Sequence, residues 1–86
     1  MRQLTLMYFA WVREAVGLDE ERIDLPAPDV TVRDLIGLLA ARDGAYAEAF
    51  ADPARLRAAL DQRFVTLDSV IGEAKELALF PPVTGG

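Results

Sequence analysis

The stretch TVRDLIGLLAARDG, Thr31 to Gly44, limits the possible folds more than any other part of the chain. Val32, Leu35, Ile36 and Leu39 fall at i, i+3, i+4 and i+7, which places them on one stripe of an α-helix. Thr31 and Asp34 have the spacing of a capping box at its start. Arg42 complements the dipole at its end, and Gly44 supplies a stop. Gly37 in the interior costs about 1 kcal/mol relative to alanine. The spacing therefore predicts a helix over Thr31–Arg42. A helix apolar along one stripe must bury that stripe against another element, and the flanking segments, whose period is two, supply a sheet.

Before the helix, Leu4, Leu6 and Tyr8 alternate with Thr5, Met7 and Phe9, which reads as a first strand. Trp11 to Gly17 suits one or two helical turns stopped by the glycine. Glu21 to Leu25 reads as a second strand closed by Pro26, with Gly17 to Glu20 as a short connection. After the helix, Ala45 to Phe50 is a short helical stretch broken at Asp52-Pro53. Arg55 to Leu60 reads as a strand with Leu56, Ala58 and Leu60 on one face. Asp61-Gln62 is a tight turn, Arg63 to Leu67 the return strand, and Ser69 to Lys75 a loop. Glu76 to Phe80 is the last strand, with Leu77 and Leu79 inward and Ala78 and Phe80 outward. A hairpin, a crossover helix and a last strand beside the first give a mixed sheet with one main helix on a face. The expected class is α+β, of β-grasp or ubiquitin-like architecture. Residues 1–81 form the domain and residues 82–86 an extended tail.

Composition then narrows the chemistry. Eighty-six residues, 52% of them hydrophobic, suffice for one core but leave no room for a deep catalytic cavity. There is no cysteine and no histidine. Disulfides, thiolate or imidazole metal sites, cysteine nucleophiles and Ser-His triads are therefore excluded, and no metal site is expected. Neither a P-loop nor a dinucleotide-binding glycine motif is present. Carboxylates, Lys75, arginines, tyrosines and hydroxyls remain, a set that suits a protein acted upon more than one that acts. The net charge of −5 argues against a nucleic-acid partner and is compatible with docking on basic proteins or with plain solubility. No apolar run approaches the roughly 18 residues of a membrane span. The start, MRQLTLMYF, reads as a strand with no signal-peptide pattern, so no membrane association and a cytoplasmic location are expected.

The sequence closes on FPPVTGG. Pro82 lacks an N–H and Pro81 has a fixed φ, so the two end the strand and favour a stiff, polyproline-like exit. Glycine at positions 85 and 86 removes the Cβ atoms and suits a narrow channel. From Pro81 to Gly86 the chain can span about 20 Å. The carboxylate of Gly86 is expected to be the chain's end and its working group.

The segments LMYFAWVREAVG, VTVRDLIGLLA and LALFPPVTGG resemble the small-subunit family of molybdopterin synthase, the sulfur carriers of molybdenum-cofactor biosynthesis. The resemblance covers the whole chain, and FPPVTGG is its most specific part. It implies that a ubiquitin-activating-enzyme-like adenylyltransferase uses ATP to adenylate Gly86, and that a sulfur donor protein then displaces AMP to leave a thiocarboxylate. The carrier itself binds no cofactor. The tail, Pro81, Pro82, Val83, Thr84, Gly85 and Gly86, inserts into the large subunit of a heterotetramer and gives sulfur to a cyclic pyranopterin. The resemblance also implies that Phe9, Phe64 and Phe80, outward or near a turn in the strand reading, form an apolar contact with that subunit. Arg13 matches a family position and reads as a surface ion pair. Two departures stand out: Asp61 where the family often has asparagine, and Ala74 where it commonly has glycine. Two other readings share the Gly-Gly end. One is a sulfur carrier for thiamine or tRNA thiolation, the other a protein modifier conjugated to lysines through Gly86. A plain binding module is a third.

Overall fold

The computed structural model describes residues 2–42 and 44–82. Five strands, β1 (Gln3–Tyr8), β2 (Glu20–Asp24), β3 (Arg57–Leu60), β4 (Arg63–Val65) and β5 (Glu76–Phe80), form one mixed sheet in the order β2-β1-β5-β3-β4. The central β1–β5 pair is parallel, and the other three pairs are antiparallel. This is the β-grasp architecture expected from the sequence. Alternation along each strand divides the sheet into two faces. Leu4, Leu6, Tyr8, Leu77, Leu79 and Ala58 lie on the inner face and are buried. Helices α1 (Ala10–Val16), α2 (Val32–Ala40) and α3 (Ala45–Ala49) add Val12, the four stripe residues of α2 and Ala49 to the same core cluster.

The start of α2 follows the sequence closely. The Thr31 hydroxyl accepts the Asp34 N–H at 3.0 Å, and the Asp34 carboxylate accepts the Thr31 N–H at 3.1 Å. Two further N–H groups that a helix start leaves unpaired find carbonyls in a distant loop. Val32 donates to Ser69 at 3.0 Å and Arg33 to Leu67 at 2.7 Å. That loop is what shortens the expected strand Arg63–Leu67: β4 stops at Val65 because residues 66–69 turn to cap the helix.

The other end of α2 departs from expectation. The helix ends at Ala40 with Ala41 still in the right-handed region, and Arg42 makes a tighter bond to the Leu39 carbonyl. Gly44, at φ 69°, is the residue before α3, not the stop of α2. The expected strand over Arg55–Leu60 also begins later. Asp52 accepts the Ala54 N–H, Pro53 takes the first helical position, and Pro53–Arg55 forms a 3₁₀ turn before β3. Leu56 and Ala58 are buried as expected, whereas Leu60 is half-buried. Gly17 does end α1, at φ 88°, with its N–H on the Arg13 carbonyl at 2.8 Å.

Asp61 and Gln62 both have positive φ, 48° and 71°, which is the conformation of a two-residue type I′ hairpin turn. Asp61 has a second task. Its Oδ1 accepts the backbone N–H groups of Lys75 and Glu76 at 2.9 and 3.0 Å, tying the turn to the start of β5. Ala74 is not at positive φ. Gly72, at 58°, takes the left-handed turn in that loop, so alanine at 74 carries no backbone penalty.

One carboxylate on the inner face is largely buried. Glu21 pairs with Leu6 across the β1–β2 ladder, and its carboxylate accepts the Tyr8 hydroxyl at 2.8 Å, the Tyr46 hydroxyl at 2.5 Å and Arg42 at 3.1 Å. The Arg42 guanidinium also lies 4.6 Å from the Tyr46 ring centroid. Burial works to raise the Glu21 pKa. Hydrogen bonds from Tyr46, Tyr8 and Arg42, together with the Arg42 charge, outweigh it and hold the carboxyl below its ordinary value. For Tyr8, burial and then Glu21 push the phenol far above its ordinary range.

Candidate docking face and tail root

The outer face of the sheet can be built row by row from the ladder register. Phe80 pairs with Arg57 on one side. On the other side Tyr8, the last residue of β1, pairs with Leu79, so Phe9, just past that strand, follows beside Phe80. The row behind runs Glu20, Met7, Ala78, Ala59, Phe64 across all five strands and is charged only at its β2 end. The row behind that turns polar, with Arg22, Thr5 and Glu76. The face is thus apolar at the end where the chain leaves β5 and charged at the end where it enters.

Phe64 and Phe80 pack together with ring centroids 5.7 Å apart and planes tilted by 52°. Phe64 is 82% exposed and Phe9 43% exposed, while Phe80 is half-buried. A shallow groove of about 220 Å³ opens beside the two packed rings, lined by Arg57, Ala58, Phe64, Val65 and Phe80. The register explains why Phe64 arrives here. A two-residue turn at 61–62 pairs Leu60 with Arg63 and Ala59 with Phe64, which sends the ring to the face opposite Ala58.

Phe9 was expected on the outward face of strand one, but β1 ends at Tyr8 and Phe9 is the extended residue that precedes α1. Its N–H donates to the Leu79 carbonyl at 3.2 Å, which fixes it beside β5. Ala10 follows at φ 53°, a left-handed conformation that costs a non-glycine residue of order 1 kcal/mol. The corner that presents Phe9 therefore stores backbone strain. Arg13 lies 3.8 Å from Asp19 as a loose surface ion pair, in keeping with its sequence reading.

Pro81 and Pro82 continue from Phe80 and are both half-buried. The expected site residues Val83, Thr84, Gly85 and Gly86 lie outside the described residues. The structure thus brings Phe9, Phe64, Phe80, Pro81 and Pro82 to one end of one face. The sequence reading set Met7 beside Phe9 and Ala78 beside Phe80 without counting them in the site, and it overlooked Ala59 and Arg57; the four complete that face. Their placement was available from the hairpin turn and the period of two, had the register been carried across to the next strand. Among the described residues, no group of three histidine, cysteine, aspartate or glutamate side chains is placed to hold a metal ion.

The profile of the ThiS family matches residues 6–86. The chain belongs to the ThiS family. Within it, the chain is 39% identical over 83 residues to the molybdopterin synthase sulfur carrier subunit of Escherichia coli strain K12, covering 96% of this chain and 99% of that one. It is 34% identical to the subunit of the same name from Haemophilus influenzae over the same shares. Among solved structures it is similar to molybdopterin converting factor subunit 1 from Pyrococcus furiosus, with a TM-score of 0.69, 25% identity, and coverage of 96% of this chain and 100% of that chain. A complex of subunits 1 and 2 of molybdopterin-converting factor from Helicobacter pylori shares the fold, with a TM-score of 0.63 and 17% identity over 99% of this chain and 100% of that chain. No helix among the described residues of this ThiS-family chain is long and apolar enough to cross a membrane.

Proposed function

We propose that this chain is the sulfur carrier of molybdopterin synthesis, and that it delivers sulfur from a thiocarboxylate at Gly86. The observation that supports the reading best is the apolar outer face, which is richest where Phe9, Phe64 and Phe80 surround the root of the FPPVTGG tail. A carrier needs a docking surface and an emergent reactive end, and here the apolar face lies at Phe80 to Pro82, from which the tail departs. The near-full-length relatives named as molybdopterin synthase sulfur carrier subunits support the same reading.

The chemistry follows from the group itself. A carboxylate is a poor electrophile until one oxygen becomes a good leaving group. An adenylyltransferase partner spends ATP to form the Gly86 acyl adenylate and releases pyrophosphate. The terminal sulfur of a persulfide on the sulfur donor protein then attacks the carbonyl carbon and AMP departs; a second thiol cleaves the S–S bond of the resulting acyl disulfide, leaving the thiocarboxylate on Gly86 and a disulfide on the donor. The apolar face docks on the large subunit of molybdopterin synthase in a heterotetramer with one carrier at each end of a large-subunit dimer. Pro81 and Pro82 stiffen the exit, and the tail carries the sulfur into the partner's pocket. The proposed setting is the cytoplasm, where ATP is at hand.

The test is intact mass. With the adenylyltransferase, ATP and a sulfur donor, the wild type should exchange one carboxylate oxygen for sulfur. Deleting Gly86 moves the carboxylate back by about 3.3 Å, and adding a residue carries it forward as far. Near-attack geometry tolerates about 1 Å. Both variants should fold and dock yet fail to transfer sulfur. An extended chain that carries sulfur without being trimmed would overturn the reading.

A further inference from the structure

Among the described residues, Arg57 is the only charged side chain lining the groove beside Phe64 and Phe80. It lies opposite Phe80 in the β3–β5 ladder, in the row from which the tail departs. Its Nη1 donates to two carbonyls, Ala54 at 3.2 Å and Leu56 at 2.8 Å. Those bonds hold the guanidinium at the rim. They leave Nε and Nη2 without a partner among the described residues, and no carboxylate of those residues pairs with it, although Arg13, Arg33 and Arg42 each have one. The side chain is exposed, in a protein whose net charge is −5.

We propose that Arg57 is a specificity residue of the docking face, and that the large subunit places a carboxylate against it beside an apolar side chain seated in the groove. The inference rests on the docking reading above and adds to it the chemistry of the partner's surface. A guanidinium anchored on two carbonyls has lost much of its freedom before docking, so little further ordering opposes a bond to a carboxylate. Its planar fork offers that carboxylate Nε and Nη2 together, the two donors left free. When docking excludes water from the rings, a cation at the rim without an acceptor would be penalised. A partner lacking the acid is therefore rejected, not merely bound less well.

The experiment titrates the purified large subunit of molybdopterin synthase with wild type, Arg57→Leu, Arg57→Lys, Arg57→Glu and Phe80→Asp at low and high salt. Thermal melts of each variant show whether it is folded. Arg57→Leu should bind about tenfold more weakly at low salt, the loss of one charge-assisted contact. Its affinity should depend less on salt than the wild type's. Arg57→Lys should recover part of the loss, and Arg57→Glu should lose more than Arg57→Leu. If Arg57→Leu binds as tightly as wild type with the same salt dependence, Arg57 only anchors the 3₁₀ turn and the inference is overturned. If Phe80→Asp also leaves docking unchanged, the docking face itself is wrong.

Discussion

The two faces of the sheet differ in what covers them. Leu77 and Ala78 are adjacent in β5, yet Leu77 is fully buried in the core while Ala78 sits in the outer row with Met7, Ala59 and Phe64. The inner residues are covered by the chain's own helices. The outer residues lie outside that core cluster: Ala59 is buried, Met7 and Ala78 are half-buried, and Phe64 remains 82% exposed. Burying a phenylalanine side chain fully contributes about 1.5–3 kcal/mol, so the outer face holds stabilisation that the fold does not use. The inner face is committed to folding, and the outer face is the one proposed to meet a partner.

The largest effect should fall on the inner face. Leu77→Ala removes a fully buried side chain beside Leu6 and should cost about 3 kcal/mol in denaturant melts. Whatever fraction stays folded should dock normally. Ala78→Asp, one residue along, should shift the melt by less than about 1 kcal/mol and weaken docking instead. Equal melts for the two variants would erase the distinction between the faces.

Phe80→Asp breaks the comparison from the other side. It places a carboxylate at the tail root against the Phe64 ring. Binding to the large subunit should weaken by about 2 kcal/mol or more, as for a central anchor, while the fold survives. Calorimetric titration beside a thermal melt separates the outcomes. A large loss of stability with normal docking would make Phe80 a core residue.

Much of this division was legible in the sequence, for reasons that lie in particular residues. Thr31 and Asp34 announced the start of α2 because a capping box is a local interaction. Leu77 and Leu79 announced the inner face because a strand's period is fixed. The end of α2 was not legible from Gly44, because a positive-φ glycine can begin the next helix as well as end the last. The shortness of β4 was hidden too, since it depends on carbonyls at Leu67 and Ser69 reaching α2 from far along the chain. The docking face was half legible. Phe9, Phe64 and Phe80 stood out as large and outward, but Met7, Ala59 and Ala78 gain meaning only when the register joins them. Arg57 needed the three-dimensional groove.

Glu21 sharpens the comparison by asking what one charge does on the committed face. Its side chain is only 18% exposed and is bonded by two tyrosines and an arginine. Its pKa in the folded protein lies below the ordinary 4.5. The stabilisation is therefore present above the unfolded value and is lost as pH falls through the lower folded value. Tyr8 has the opposite sign. Its raised pKa gives stabilisation that is full below pH 10 and declines as pH rises beyond it. Glu21→Gln should lose about 1–2 kcal/mol at neutral pH and show a shallower acid limb in melts from pH 6 to pH 3. An unchanged acid limb would mean that other carboxylates dominate acid unfolding.

The smallest effects should come from the polar end of the outer face, where the turn at Asp61-Gln62 lies far from the tail. Both residues occupy left-handed conformations, but only Asp61 has work that requires its side chain, holding the N–H groups of Lys75 and Glu76. Gln62 has the strain without such a bond. Gln62→Gly should therefore stabilise the protein by about 0.5–1 kcal/mol, the strain relieved exceeding the freedom gained by the unfolded chain. Ala74→Gly should do the reverse, losing about 0.5–1 kcal/mol, because Ala74 is not at positive φ and packs partly against the core. Neither variant should alter affinity for the large subunit, since neither residue belongs to the apolar end. Paired melts and titrations decide the matter. If Gln62→Gly leaves the melt unchanged but shifts docking, the interface reaches the far end of the sheet, and the contrast between an apolar docking end and a polar free end does not hold.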